Sequence, residues 1–209
     1  MAFTDTGKKL QEQMGSRKIY AQLERDSYVD GLTENEISFL SRQTSFYMAT
    51  VGKNDFPYIQ HRGGPKGFLK VLDKQRIGFL DFRGNKQYIS VGNLSTNNKV
   101  ALIIVDYPSR TRLKILAKAK IVEMKEDPAL LDLLDLDDYQ FQPERMMVFH
   151  IEAYDWNCPQ HITPRYTLED IEATFAPQRA YVEKLEIELN ELKNLLNLKY
   201  DTKQQLHTH

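Results

Sequence analysis

Apolar and polar residues alternate over several short stretches of the chain, which predicts β-strands. From Ser45, the stretches SFYMATV and FPYIQHR flank a GKND turn and indicate a hairpin. Further strands are predicted at 68–73, 76–82, 99–107, 112–123 and 145–156. The short connections favour antiparallel neighbours, because parallel strands need a long crossover. We therefore expect a mainly β (α+β) fold whose antiparallel sheet curls into a barrel, since closure protects the sheet edges.

Helical patterns lie before, between and after these strands. Residues 1–31 indicate a helical segment, and a capping box from Thr33 to Glu36 predicts the start of a short helix. The stretch 83–98 is predicted to be a turn plus a short helix, and 129–140 an acidic helix over one barrel end. The chain is thus divided into an N-terminal segment at 1–31, a barrel domain at 32–166 and a C-terminal amphipathic helix at 167–209.

The C-terminal helix carries a heptad-like row of apolar residues. Val182, Leu185, Leu189, Leu192 and Leu196 follow one another at spacings of three and four residues, as in the seam of a coiled coil. The row covers less than three heptads. Two interpretations stay open at this point: the helix packs on its own subunit, or it pairs with another helix.

Composition limits the kinds of partner. The 209 residues, 41% of them hydrophobic, can bury one full core. A formal net charge of −1 gives no overall attraction to nucleic acid or anionic lipid, so any anion must be held locally. A single cysteine excludes an intrachain disulfide, and no signal-peptide pattern begins the chain. We expect a cytoplasmic protein without a membrane span, because the apolar runs are far shorter than about 20 residues.

Three polar clusters are candidates for binding chemistry. The cluster 83–87, RGNKQ, combines two cations, two amides and a glycine after a strand, which are the parts of an anion site. The cluster 60–64, QHRGG, lies at the end of a strand. The cluster 156–166 contains the only tryptophan and the only cysteine. Taken singly, each cluster is more typical of a solvated loop than of a binding site.

Several enzyme classes lack their motifs in this sequence. Cys158 and His161 are three residues apart in a proline-containing loop with no third orienting group, which disfavours a nucleophile and base pair. One Cys and five His do not form a zinc site at metal-ligand spacing, so no metal is predicted. The Walker, GxGxxG and GxSxG motifs are absent.

Taken in order, the stretches PYIQHR, GFLD, NKQ, KVAL and RLK, followed by Trp156, resemble the pyridoxamine 5'-phosphate oxidase-like flavoproteins. The resemblance spans roughly 35–166 and implies a split barrel that binds flavin mononucleotide (FMN) at the interface of a homodimer. It implies that Lys86 holds the FMN phosphate and that Arg112 reaches the flavin from the partner subunit. The implied cofactor-binding residues are Gln60, His61, Arg62, Asp81, Arg83, Asn85, Lys86, Gln87, Arg112, Trp156 and Arg165.

The resemblance also indicates where the chemistry differs from that of the biosynthetic oxidases. Their substrate-phosphate residues lie near the C-terminus, where this chain becomes helical after Arg165, so pyridoxamine phosphate is not the expected substrate. The expected function is that of an FMN-dependent oxidoreductase acting on an unidentified small molecule, with no catalytic side chain assigned. The alternatives are a non-catalytic flavin-binding module whose C-terminal helix recruits a partner, and a haem or deazaflavin in place of FMN.

Overall fold

The computed structural model describes residues 3–26, 31–136, 139–157 and 160–206. Two helices, α1 (Asp5–Gln13) and α2 (Arg17–Asp26), precede α3 (Glu34–Leu40). The strands are β1 (Ser45–Val51), β2 (Pro57–Gly63), β3 (Lys70–Asp73), β4 (Arg76–Phe82), β5 (Lys99–Asp106), β6 (Thr111–Val122) and β7 (Pro143–Asn157). Helix α4 (Ile89–Leu94) lies between β4 and β5, α5 (Pro128–Leu134) lies between β6 and β7, and α6 (Leu168–Leu206) ends the described chain.

All seven strands form one antiparallel sheet in the order β2-β1-β5-β6-β7-β4-β3. The predicted fold class is confirmed, and the strand bounds agree with the predicted bounds to within two residues. The hydrogen-bonded order begins at β2 and ends at β3, so the barrel is split rather than fully closed. The sheet nevertheless curls strongly. The evidence is the contact between Arg62 on the edge strand β2 and Asp81 on β4, which lies near the opposite edge of the sheet.

The barrel interior is filled by alternate residues of the strands, as period-2 patterning requires. Four phenylalanines, Phe46, Phe68, Phe79 and Phe149, stack or meet edge to face at centroid distances of 5.3–6.2 Å. A second apolar cluster joins Leu134 of α5 to Leu80 and Met146, so α5 covers part of the barrel as the sequence predicts. This cluster therefore packs against the paired strands β4 and β7.

The chain forms two compact units, Met1–Thr163 and Pro164–His209. The first unit contains the N-terminal helices together with the barrel, and the second contains α6. No helix among the described residues is long and apolar enough to cross a membrane.

Candidate functional site

An open cleft forms where the ends of β2 and β4, the connection from β4 to α4, and the start of β7 meet. Six residues predicted from the sequence line the cleft: Gln60, Arg62, Asp81, Asn85, Lys86 and Gln87. The fold therefore joins two of the three polar clusters, which are separated by about 20 residues in the chain. They meet because the sheet curls and brings β2 close to β4.

Asp81 forms the buried anionic centre of the cleft. Arg62 donates from Nη1 to Asp81 Oδ1 at 2.7 Å, and Arg145 donates from Nη1 to Asp81 Oδ2 at 3.0 Å. Arg145 also donates from Nη2 to Glu144 Oε2 at 3.0 Å. The paired charges fix the two guanidinium groups in place, because charge-assisted hydrogen bonds are directional. Arg62 Nε is buried without a hydrogen-bond partner among the described residues, and a ligand or water ordinarily satisfies such a donor.

The exposed loop from Arg83 to Tyr88 forms the rim of the cleft. Lys86 and Tyr88 have φ angles of 63° and 53°, in the left-handed region, and the Gln87 amide donates to Asn85 Oδ1 at 3.2 Å. Backbone that alternates between right-handed and left-handed conformations turns successive N–H groups towards a common concavity, which suits an anion. The helix that follows begins at Ile89, two residues after the predicted cluster ends.

The charged side chains that line the cleft have a net charge of plus one. Arg62, Arg145 and Lys86 face the two carboxylates of Asp81 and Glu144, which leaves a net positive charge of one. The Lys86 amine makes no ion pair or hydrogen bond with any residue that the structure describes, whereas both arginines are engaged. Lys86 is thus the cation available to an incoming anion.

Sequence reasoning missed four residues that shape the cleft: Tyr88, Ser90, Glu144 and Arg145. Ser90 donates from Oγ to Gln60 Oε1 at 2.9 Å and orients that amide. Tyr88 donates to Glu144 Oε1 at 3.1 Å, and its ring lies 5.1 Å from the guanidinium carbon of Arg145. The one available signal was the charged Glu144-Arg145 pair directly before the apolar run of β7.

Three other predicted residues of the barrel lie outside this cleft. His61 is on the opposite face of β2 from Gln60 and Arg62, edge to face with Tyr47 at 5.4 Å. Arg83 donates from Nη1 to Gln142 Oε1 at 2.9 Å and lines an adjoining open hollow. Arg112 lies on β6, and its Nε is buried without a partner in the described chain. Their contacts with a cofactor stay predictions.

Trp156 takes part in a separate buried cluster around Glu36. Its Nε1 donates to Glu36 Oε1 at 2.6 Å, and its ring packs edge to face on Phe39 at 4.8 Å. The backbone N–H and the hydroxyl of Thr33, together with the Tyr154 hydroxyl, also donate to Glu36. Burial raises the pKa of Glu36, but these hydrogen bonds outweigh it and hold the pKa below its ordinary value. The cluster connects α3 to β7.

Two predicted features cannot be placed at the cleft. Arg165 belongs to the second compact unit, so its contact with a cofactor stays a prediction. Cys158 lies outside the described residues.

Residues 32–153 match the family model described as pyridoxamine 5'-phosphate oxidase, and this match covers more than half of the chain. The chain belongs to the pyridoxamine 5'-phosphate oxidase family. The matched range includes every residue that lines the cleft, and it ends before Trp156 and Arg165. No curated protein matches the sequence.

Solved structures with a similar fold come from several bacteria. A provisionally assigned pyridoxamine 5'-phosphate oxidase from Lactobacillus delbrueckii is 29% identical, with a TM-score of 0.45, and the likeness covers 61% of this chain and 95% of that one. An FMN-binding protein from Syntrophomonas wolfei is 16% identical, with coverages of 70% and 97% and a TM-score of 0.45. The Group A Streptococcus protein HupZ is 18% identical, with coverages of 65% and 100% and a TM-score of 0.48.

Proposed function

We propose that this member of the pyridoxamine 5'-phosphate oxidase family binds FMN and acts as an FMN-dependent oxidoreductase on an unidentified small molecule. The observation that carries the proposal is the cleft, in which Lys86 and the turned backbone of its loop remain available beside a paired arginine network. Lys86, Asn85 and Gln87 would hold the phosphate, while Gln60 and Arg62 would lie along the rest of the cofactor. Bound FMN would supply the redox chemistry, so the chain needs to bind and orient rather than react.

The donors of the cleft fit a phosphate monoester. An uncommitted ammonium, backbone amides and the unsatisfied Arg62 Nε are donors, and a phosphate offers strong acceptor oxygens. The cleft is open in the single chain, so a second subunit has access to a cofactor held there by its phosphate. This supports a site that a second subunit completes, with FMN at the interface of a homodimer.

The outer face of the sheet provides a surface for that second subunit. One row of directly paired residues crosses five strands and consists of apolar residues only: Ile59, Ala49, Ala101, Leu116 and Ala153. Ile59 is 63% exposed and Leu116 is 38% exposed in the single chain. Small side chains in the middle of the row allow another surface to approach closely, and contiguous exposed apolar patches are typical of protein interfaces.

The first experiment is the absorption spectrum and mass of the cofactor that co-purifies with the protein. A flavin spectrum and the mass of FMN are expected, whereas haem or a deazaflavin would overturn the choice of cofactor. FMN-loaded protein is then assayed for oxygen consumption with candidate amines and for oxidation of NAD(P)H. Absence of turnover with these substrates would count against the enzyme hypothesis and leave FMN binding intact.

The dimer is tested by placing a charge in the middle of the apolar row. Ala101→Glu should shift the protein towards monomer in analytical ultracentrifugation and weaken FMN binding, because a buried unpaired carboxylate opposes association. Lys53→Glu introduces the same residue in the exposed turn between β1 and β2 and should change neither property. A dimer of unchanged stability in the Ala101→Glu variant would place the interface elsewhere.

A second candidate function is a non-catalytic flavin-binding module in which the C-terminal helix recruits a partner. The exposed apolar residues of α6 favour this candidate. It predicts FMN binding without turnover, and loss of partner binding when residues 180–209 are deleted. Unchanged partner binding after that deletion would rule the module out.

A further inference from the structure

Helix α6 contains Pro177 in its interior and presents, on both sides of this proline, a heptad stripe that we call the seam. Its members are spaced alternately by three and four residues: Leu168, Ile171, Phe175, Gln178, Val182, Leu185, Leu189, Leu192 and Leu196. The seam is therefore two heptads longer than the row predicted from 182 to 196. Its apolar members are 43–79% exposed. Since most of a helix's stability in proteins comes from packing of its apolar stripe, a seam of this length needs a cover.

The surface of the helix has the relief of a coiled-coil strand. An open, shallow hollow on one face is lined by Glu183 and by four residues at positions i, i+3, i+4 and i+7, namely Phe175, Gln178, Arg179 and Val182. In a coiled coil, a side chain of the facing helix enters a hole formed by four residues with this spacing. The seam thus provides both the apolar knobs and a matching hole.

We propose that the seam pairs with the seam of a second copy of this chain to form a parallel, in-register, two-stranded coiled coil. Gln178, the one polar member of the seam, decides the partner and the direction. In a parallel, in-register pair, Gln178 of one helix faces Gln178 of the other, and the two side-chain amides can donate to and accept from each other. In an antiparallel pair or a shifted register, Gln178 faces an apolar side chain and is buried unsatisfied, which is costly. A polar residue at one core position is a known device for setting register.

The charged residues beside the seam are complementary between two parallel copies of the helix. Glu188 precedes one seam residue and Lys193 follows the next, so a parallel pair places Glu188 of each helix beside Lys193 of the other. Among the described residues, exposed Glu188 pairs with Lys184 of its own helix, at 3.8 Å. Antiparallel helices could also match some flanking charges, so the parallel direction rests on Gln178.

The test is disulfide cross-linking of the full chain in a Cys158→Ser background. Leu189→Cys places a thiol in the seam, and Asn190→Cys places one on the adjacent outward position as a matched control. Under mild oxidation, Leu189→Cys should form a covalent dimer in high yield at a rate independent of protein concentration. The control should react at least tenfold more slowly. Leu192→Cys serves as a second seam position, away from the midpoint of the seam, in case the first variant folds poorly.

Each outcome decides the proposal. Selective cross-linking at Leu189→Cys and Leu192→Cys supports the parallel pair, because antiparallel helices that overlap along the whole seam would hold identical positions far apart everywhere except at its midpoint, Val182. No cross-linking at either position, with helix content retained in circular dichroism, would mean that the seam packs on its own subunit or on another protein. Equal cross-linking of seam and control variants would show only collision. The test is independent of FMN and of the proposed barrel interface.

Discussion

Two carboxylates of the barrel unit, Glu36 and Asp81, are equally buried, with 3% of each residue exposed, yet they have different surroundings. Glu36 accepts hydrogen bonds from Thr33, Tyr154 and Trp156, all neutral donors of the chain itself. Asp81 accepts from two guanidinium groups that also line an open cleft. The first carboxylate is enclosed by the fold, and the second holds cations where a ligand can reach them.

The comparison shows why burial alone does not identify a binding site. The Glu36 cluster closes over itself and joins α3 to β7, so its donors have no capacity left for a ligand. The Asp81 network retains an unsatisfied Arg62 Nε and lies next to the uncommitted amine of Lys86. Mutations should therefore separate the two regions: changes at Glu36 act on stability, and changes around Asp81 act on ligand affinity.

The largest effect is expected for Glu36→Ala. Removal of the carboxylate leaves the buried donors of Thr33, Tyr154 and Trp156 without an acceptor, which should lower the free energy of unfolding by about 3 to 4 kcal/mol. Urea denaturation measures this loss. Glu34→Ala, on the exposed side of the same helix turn, should cost less than about 1 kcal/mol. Similar stability of the two variants would show that the enclosed cluster does not support the fold.

The next effect is expected for Lys86→Ala, which should weaken FMN binding by roughly 1.5–3 kcal/mol, the usual range for hydrogen bonds to charged groups. Because Lys86 is exposed, the unfolding free energy of the FMN-free protein should change by less than about 0.5 kcal/mol. Titration followed by flavin fluorescence measures the affinity.

Lys74→Ala is the matched control, because Lys74 is equally exposed but lies in the turn at the other end of β4. Unaltered FMN affinity in the Lys86→Ala variant would place the phosphate elsewhere.

A smaller effect is expected for Ser90→Ala. This change removes the hydrogen bond that orients Gln60, so FMN affinity should fall by about 1 kcal/mol. Ser95→Ala is the control, since Ser95 is exposed and its hydroxyl donates to the Gly92 carbonyl of the preceding helix, away from the cleft. If both serine variants bind FMN equally well, Gln60 does not need its fixed orientation for cofactor binding.

The smallest effect is expected for the pH dependence of stability, which also distinguishes the two carboxylates. The pKa of Glu36 is lower in the folded state than its ordinary value of 4.5, so its contribution to stability is complete above that value. This contribution is lost as the pH falls through the folded pKa. The stability difference between wild type and Glu36→Gln, measured by urea denaturation from pH 7 to pH 3, should therefore shrink in acid. A constant difference would contradict the lowered pKa.

Local patterns account for most of the fold that could be predicted. Alternating side chains placed strands β1 and β4 at their observed bounds, and a capping box placed the start of α3, because these features depend on neighbours in the chain. The loop 83–87 was identified by its concentration of donors. Strand periodicity also contained an unused signal: His61 cannot share a face with Gln60 and Arg62, since successive side chains point to opposite faces.

The sequence by itself determined the strands, the antiparallel class and the concentration of hydrogen-bond donors in one loop, because each is set by local spacing and residue type. Only the tertiary structure decided which distant residues complete the cleft. Arg145 is 64 residues from Asp81, and the two meet because β4 pairs with β7. Trp156 likewise joins Glu36 only through the packing of α3 on the barrel. Contacts of this kind depend on strand order and sheet curvature, which many segments determine together.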